Sequence, residues 1–360
     1  MMNRPRWVHT KHIQRLKNLF FAVSFRMGLF DLVRAVSNTL GRRAVILCYH
    51  RVVEGNPDPY SIPGTQVILQ RFTVQVRGLS RKYRIIPFSV LVEKLKKGVL
   101  DPNELVLSFD DGFRDNATIA YPVLKRYGVA ALFFISPATP ESPSLIWNNR
   151  VWWLLNRRTS GDSLHWNGRD LPLGAEGERI GARDLINQTL APMKEEEREA
   201  VFDQIASALG APAQQPEQAE IMMRPEKISD MIAGGLAEFG SHSLTHPLLP
   251  LCDEDRLRHE VLGSKKALEE ALGRPVAYFA YPGGYYNEKT VQSVRDAGYE
   301  AAVTTSEGLV QTGDDLFLLH RVNVVRDDTL YSLMIRKLVP LYWKNVVFLL
   351  KKRLYGDSRD

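Results

Sequence analysis

Leu105-Val106-Leu107-Ser108-Phe109-Asp110-Asp111-Gly112 is an apolar run that ends in two adjacent carboxylates and a glycine. Read as a buried strand, it delivers two like charges to one spot, which is costly unless something compensates them. A divalent cation taking one carboxylate, and leaving the other free as a base, would do so.

Working outward, Ala44-Val45-Ile46-Leu47-Cys48-Tyr49 reads as a second buried strand delivering His50, and 130–135 as a third. Segments near 70–83, 88–97 and 117–127 read as helices, the last ended by Gly128. Beyond residue 224, helices are expected over 225–233, 253–272 and 287–297, with strands over 236–239, 276–281, 301–304 and 316–324. Strands alternating with helices of about 10–15 residues predict a parallel α/β sheet or barrel. The rhythm breaks over 137–224, which reads as a mainly helical insertion. Its tryptophans, Trp147, Trp152, Trp153 and Trp166, are read as a small local core in preference to a sugar-binding cleft.

With 44% hydrophobic and 24% charged residues over 360 positions, the composition is that of a globular chain rather than a disordered one. Two cysteines, Cys48 and Cys252, exclude a disulfide framework or a cysteine zinc cluster and suit a reducing compartment. Charge is uneven. Residues 1–30 hold six basic side chains and no acid, and residues 336–353 hold six more, again without an acid. These twelve exceed the net +6, so the rest of the chain sums to −6. Both ends are also apolar at roughly helical spacing, but neither reaches the ~18–20 uninterrupted apolar residues of a spanning helix. The run 19–25 is short, Arg26 ends it and no small-residue cleavage site follows, so we read no signal peptide. The expected organisation is basic amphipathic helices over 1–40, a catalytic domain over 41–325 and a basic amphipathic segment over 326–360. Such ends suit an anionic membrane surface, or simply pack on the domain. A cytoplasmic location at the inner face follows as an expectation. No basic-aromatic groove points to nucleic acid, and no Walker loop, dinucleotide GxGxxG or GxSxG elbow occurs.

Glu238-Phe239-Gly240-Ser241-His242-Ser243-Leu244-Thr245-His246-Pro247 places two histidines four apart after a strand. Pro247 and the missing intervening Glu separate it from the helical HExxH arrangement. The pair alone is weak evidence. Joined to Asp110-Asp111 at another strand end, it makes a facial two-His, one-carboxylate site suited to Zn²⁺ and a water.

At these residues the chain resembles the NodB-type polysaccharide deacetylases of carbohydrate esterase family 4. Phe109-Asp110-Asp111-Gly112 resembles the first motif, His242-Ser243-Leu244-Thr245-His246 the second and Phe279-Ala280-Tyr281-Pro282-Gly283-Gly284 the third. Tyr49-His50-Arg51-Val52 resembles a motif of the branch acting on poly-N-acetylglucosamine. The resemblance spans residue 44 to about 325 without the insertion, and implies a distorted (β/α) barrel that deacetylates an N-acetylated glycan, polymeric or lipid-linked. It implies Asp111, His242 and His246 as ligands of a divalent metal, with Zn²⁺ expected, and Asp110 as the general base. It nominates His50 as general acid, with His320 as rival, and backbone N–H groups near Tyr281 and Gly283 as the oxyanion site. One departure stands out: the third motif usually begins with an arginine held against the base, and Ala280 is there instead. Arg321 is a candidate to supply that charge, or to meet substrate. Asp115 and Asn116 are read as capping the next helix, with substrate contact as the other role. Hydrolysis of a different acyl group, or a silent glycan-binding protein on the same fold, are the alternatives.

Overall fold

The computed structural model describes residues 19–55, 58–137, 146–212 and 221–355. The basic residues expected at 1–18 lie outside them, as do the side chains of Lys351, Lys352 and Arg353. Twelve strands occur among the described residues: β1 (Ala44–Tyr49), β2 (Arg51–Val53), β3 (Gln66–Ile68), β4 (Arg84–Ile85), β5 (Glu104–Phe109), β6 (Ala131–Ile135), β7 (Ser163–Trp166), β8 (Arg169–Pro172), β9 (Ala237–Ser241), β10 (Tyr278–Ala280), β11 (Ala301–Glu307) and β12 (Leu319–Asn323). The sheet runs β1-β12-β11-β10-β9-β6-β5 and closes through β1–β5, a seven-strand parallel barrel. β4 pairs only with the start of β5, at Glu104 and Leu105, before β6 takes over at Ser108 and Phe109.

Side-chain parity explains how the barrel fills. Val45, Leu47, Leu105, Leu107, Phe133, Phe239 and Phe279 pack outward against helices such as Leu69–Lys82 and Tyr121–Tyr127. The alternate residues Ala44, Ile46, Val106, Leu132, Phe134, Ala280, Val303 and Leu319 form a second cluster with helix Phe88–Lys96. That helix plugs the bottom, where the Glu238 carboxylate accepts from the N–H groups of Phe88 (2.6 Å) and Ser89 (3.3 Å). Followed upward, the same inward parity gives Cys48, Ser108, Asp110, His242 and Arg321. The barrel is apolar below and polar at its C-terminal mouth.

The insertion has its own core. Trp147 and Trp153 pack with Leu164, Ile186, Phe202 and Ile205, Trp166 lies against them, and Trp152 is buried, so the tryptophans are packing residues. Besides helices Trp147–Arg157, Glu176–Leu190 and Glu195–Leu209, the segment holds an antiparallel hairpin, β7–β8, that the helical reading missed. Its signal was Asn167-Gly168, both at positive φ (47° and 77°), the favoured two-residue hairpin turn. Strands β10 and β12 are shorter than expected, β11 longer.

The insertion rejoins the barrel at Gly112, whose carbonyl accepts from Met223 N–H (2.9 Å), and Phe113 bridges to Met222. Gly112 sits at φ 74°, and a Cβ there would lie 2.9 Å from Ile135 Cγ2. Gly112→Ala is expected to cost about 2–4 kcal/mol in urea unfolding, a left-handed penalty plus overpacking. Gly98→Ala, at φ 69° with open space around its Cβ, should cost only about 1–2 kcal/mol. Equal losses would show that the contact with Ile135 is immaterial.

Candidate metal centre

Three segments meet at the mouth. Asp111 follows β5 at φ 76°, and His242 and His246 follow β9, with Ser243 and His246 at φ 62° and 59°. Of the five non-glycine residues at positive φ among the described residues, these are three. Such conformations cost about 1–3 kcal/mol each and persist only where neighbours over-determine them.

The neighbours are identifiable. Glu260, buried, accepts from the N–H groups of Leu244 and Thr245 (both 2.9 Å) and from Thr245 Oγ1 (2.5 Å), holding the loop between the histidines. It sits in a π-bulge, His259–Gly263, that re-aims one turn of a longer helix. Ser243 Oγ accepts from His246 N–H (3.1 Å), and Trp147 Nε1 donates to the His246 carbonyl (3.0 Å). Neither Glu260 nor Trp147 was singled out for this role from sequence. Glu260 looks like any helical acid, and Trp147 belongs to the insertion.

Nε2 of His242 and His246 lies 3.4 and 3.6 Å from Asp111 Oδ1, and the three donor atoms fall within 4.8 Å of one another. His242 Nδ1 lies 2.8 Å from the Ala280 carbonyl, which only accepts, so Nδ1 carries the proton and Nε2 keeps a lone pair in the neutral ring. Burial and the neighbouring His242 push His246 down to about 4, so its ring is neutral near neutral pH. Burial also opposes charge on His242, but the Asp111 and Asp110 carboxylates outweigh it and raise its pKa. Two imidazoles and a carboxylate, all buried and facing one point, fit a divalent cation, whose binding would take His242 in its neutral form.

Asp110 lies beside this group. Arg321 donates to it twice, Nη1 to Oδ1 (2.7 Å) and Nη2 to Oδ2 (2.6 Å), and both residues are essentially unexposed (0% and 1%). Arg321 is fixed in turn by Nε to the Thr304 carbonyl (2.8 Å) and Nη1 to Ser108 Oγ (3.2 Å). Burial alone would raise Asp110, yet Arg321 outweighs it and holds the carboxyl well below the usual carboxylate range. Thus Arg321, on β12, provides the charge that Ala280 cannot. Its guanidinium is buried and donates to Thr304, Ser108 and Asp110.

Cys48, His50 and Asp110 also bring donor atoms within 4.8 Å of one another, so His50 belongs to the mouth. His320 does not share that face: it is exposed on β12, with the opposite parity to inward-facing Arg321. Asp115 forms no cap. It accepts from Arg51 Nε (2.7 Å) and Val52 N–H (3.1 Å), and Asn116 Nδ2 donates to the His50 carbonyl (2.8 Å). Both therefore clamp the chain that carries His50, which corrects the cap reading for Asp115. The oxyanion expectation also narrows. Tyr281 N–H is bonded to the Val303 carbonyl (3.3 Å), its hydroxyl donates to the Phe317 carbonyl (3.1 Å), and Pro282 has no N–H. Gly283, at φ 61°, is the remaining donor of the stretch expected to supply the oxyanion site.

A family model described as polysaccharide deacetylase matches residues 180–302, which include the histidine pair and the Gly283 turn. YxkH of Bacillus subtilis, which carries a provisional polysaccharide deacetylase name, is 22% identical over 285 residues, 78% of this chain and 70% of its own. The Streptococcus pyogenes deacetylase PplD, solved with acetate, superposes with a TM-score of 0.55 at 18% identity, covering 82% of this chain and 99% of its own. IcaB from Ammonifex degensii superposes at 0.53 and 20% identity, covering 84% and 97%. At these identities the superpositions speak to the fold.

Arg321→Met should destabilise the protein by about 3–5 kcal/mol at pH 7, because it strands a buried carboxylate. In the wild type, Asp110 has a depressed folded pKa. Its contribution is present above the unfolded value and is lost as pH falls through the folded one. Without Arg321, burial leaves Asp110 free to protonate at a higher pH, so the deficit should shrink as the solution is acidified. Urea unfolding of both proteins at neutral and mildly acidic pH measures this. A deficit that grows on acidification would remove the ion pair from its assigned role.

Proposed function

We propose that the chain acts as a polysaccharide deacetylase of the NodB type and hydrolyses an N-acetyl group from an amino sugar, releasing acetate. The observation that carries this reading is the convergence of Asp111, His242 and His246 on one point with Asp110 ion-paired beside it. Polysaccharide deacetylation is the activity the family and its named relatives support. Metal dependence and the roles below are our own reading.

Asp111, His242 and His246 would hold the cation, with Zn²⁺ the best match to two imidazoles and a carboxylate. When bound, it would polarise the acetyl carbonyl and acidify the attacking water, which lessens the basicity asked of Asp110. Asp110, kept ionised by Arg321, retains lone pairs beyond those two hydrogen bonds and takes the proton of that water. Arg321 also fixes the direction of the carboxylate, so the base needs no reorientation. Gly283 N–H is the backbone donor assigned to the oxygen that becomes negative as the carbonyl is attacked. His50 hands a proton to the departing amine, and Asn116 and Asp115 hold the backbone that aims it. The substrate proposed is an N-acetylated glycan, either polymeric or lipid-linked, handled on the cytoplasmic side of the membrane.

Acetate release from N-acetylglucosamine oligomers, measured with and without chelator, tests the whole. Chelation should abolish release, and added Zn²⁺ should restore it. His242→Ala should lose both metal and activity, whereas Asp110→Asn should keep metal and lose about 10²–10⁴ in kcat. Full activity in chelator, or in Asp110→Asn, would end this mechanism. Trp147→Phe, which removes the donor to His246 together with part of a buried ring, should weaken metal affinity about tenfold, and the unfolding midpoint reads the packing loss separately. Equilibrium dialysis against Zn²⁺ reads the affinity directly.

A further inference from the structure

Two helices outside the barrel, Leu29–Leu40 and Val339–Tyr355, lie side by side and run in the same direction. Phe30 meets Tyr342 (ring centroids 6.3 Å apart), Asn345 Nδ2 donates to Ser37 Oγ (2.7 Å), and Leu349 approaches Gly41. Phe30, Val33 and Ser37 are buried on the first helix, Tyr342, Asn345 and Val346 on the second. Beside that seam each helix carries an apolar stripe that stays in water. On the first it is Leu29, Leu32 (63% exposed) and Val36, and on the second Trp343 (55%), Val347 and Leu350 (44%).

The first stripe lies one helical step before the seam and the second one step after it. In two parallel right-handed helices those positions open to the same side of the pair. The helical residues 19–26 add Leu19, Phe20 and Val23, also exposed. Single exposed apolar residues are ordinary, but a joined patch of this kind marks a binding surface.

Charge identifies the partner. Arg26, Arg336 and Lys344 are exposed on these elements, while Lys337 is paired with Asp328. Across 1–30 and 336–353 the chain carries twelve cations and no acid. A second copy of the chain would bring like charges together, which opposes self-association through this face. No helix among the described residues is long and apolar enough to cross a membrane. We propose that this face lies on an anionic lipid bilayer, with the two helices in the plane of the surface, their apolar stripes in the acyl boundary and their cations among the phosphates. The proposal does not depend on the reaction assigned above. If both hold, docking brings the barrel to glycan presented at that membrane.

The test is sedimentation of the full-length protein with phosphatidylcholine vesicles, with and without phosphatidylglycerol, at low and high salt. Wild type should bind the anionic vesicles, and salt should weaken that binding. The double variant Trp343→Glu/Leu350→Glu, and separately Leu32→Glu, should each bind about tenfold more weakly. Their unfolding midpoints should match wild type. Lys344→Glu, at an exposed position, carries the same test if an apolar-to-acid change prevents folding. Wild type that stays in the supernatant, variants that bind as wild type does, or a wild-type dimer that the variants convert to monomer would each overturn the proposal. Acetate release from soluble oligomers is read on the same samples, so loss of docking and loss of the reaction are scored separately.

Discussion

The bidentate pair between Arg321 and Asp110 is the constraint on which the mouth of the barrel depends. Two carboxylates cannot both stay ionised in a dry pocket unless each has its own counter-charge. Arg321 answers for Asp110 permanently, through two short hydrogen bonds in a place with no exposure. Asp111 is then the one carboxylate without a fixed cation, and it faces two imidazoles. Summed over Asp110, Asp111 and Arg321, the cluster holds one negative charge, so a dication is attracted rather than merely tolerated. Divided this way, one carboxylate is left to hold and the other to accept.

That division needs backbone geometry that few residues adopt willingly. Asp111, Ser243 and His246 all take left-handed conformations, and the fold secures them from different directions. Glu260 reaches the histidine loop from a helix behind it, Trp147 reaches the His246 carbonyl from the insertion, and Gly112 lets the β5 turn pass against Ile135. The insertion is therefore more than an appendage. Its core positions an indole on the histidine loop, and its far end bonds the Gly112 carbonyl beside Asp111. His50 is secured by the same logic, through Asn116 and the Arg51–Asp115 pair.

Much of this was legible in sequence where the signal was local. Largely apolar runs such as 44–49 and 105–107 marked the barrel strands, because parallel strands covered on both faces show little polar alternation. Asp110-Asp111 and the histidine pair stood out because charged and titratable groups at strand ends have few reasons to be there. Readings that rested on near neighbours in sequence fared worse. Asp115 ahead of a helix looked like a cap but is tied to Arg51, 64 positions away. Tyr281 N–H looked available but is bonded to Val303. His320 and Arg321 are adjacent in the chain, yet strand parity sends one to water and the other into the barrel.

By itself the sequence determined which strands would be buried and which residue types could assemble a candidate metal centre. It did so because burial pattern and ligand chemistry are properties of residues and short spacings. Only the tertiary structure decided that Arg321 stands under Asp110, that Glu260 and Trp147 grip the histidine loop, and that two terminal helices share one apolar face. Those are contacts between segments far apart in the chain. They exist because closing a parallel barrel brings all its strand ends to one mouth, and no local pattern records which side chains will meet there.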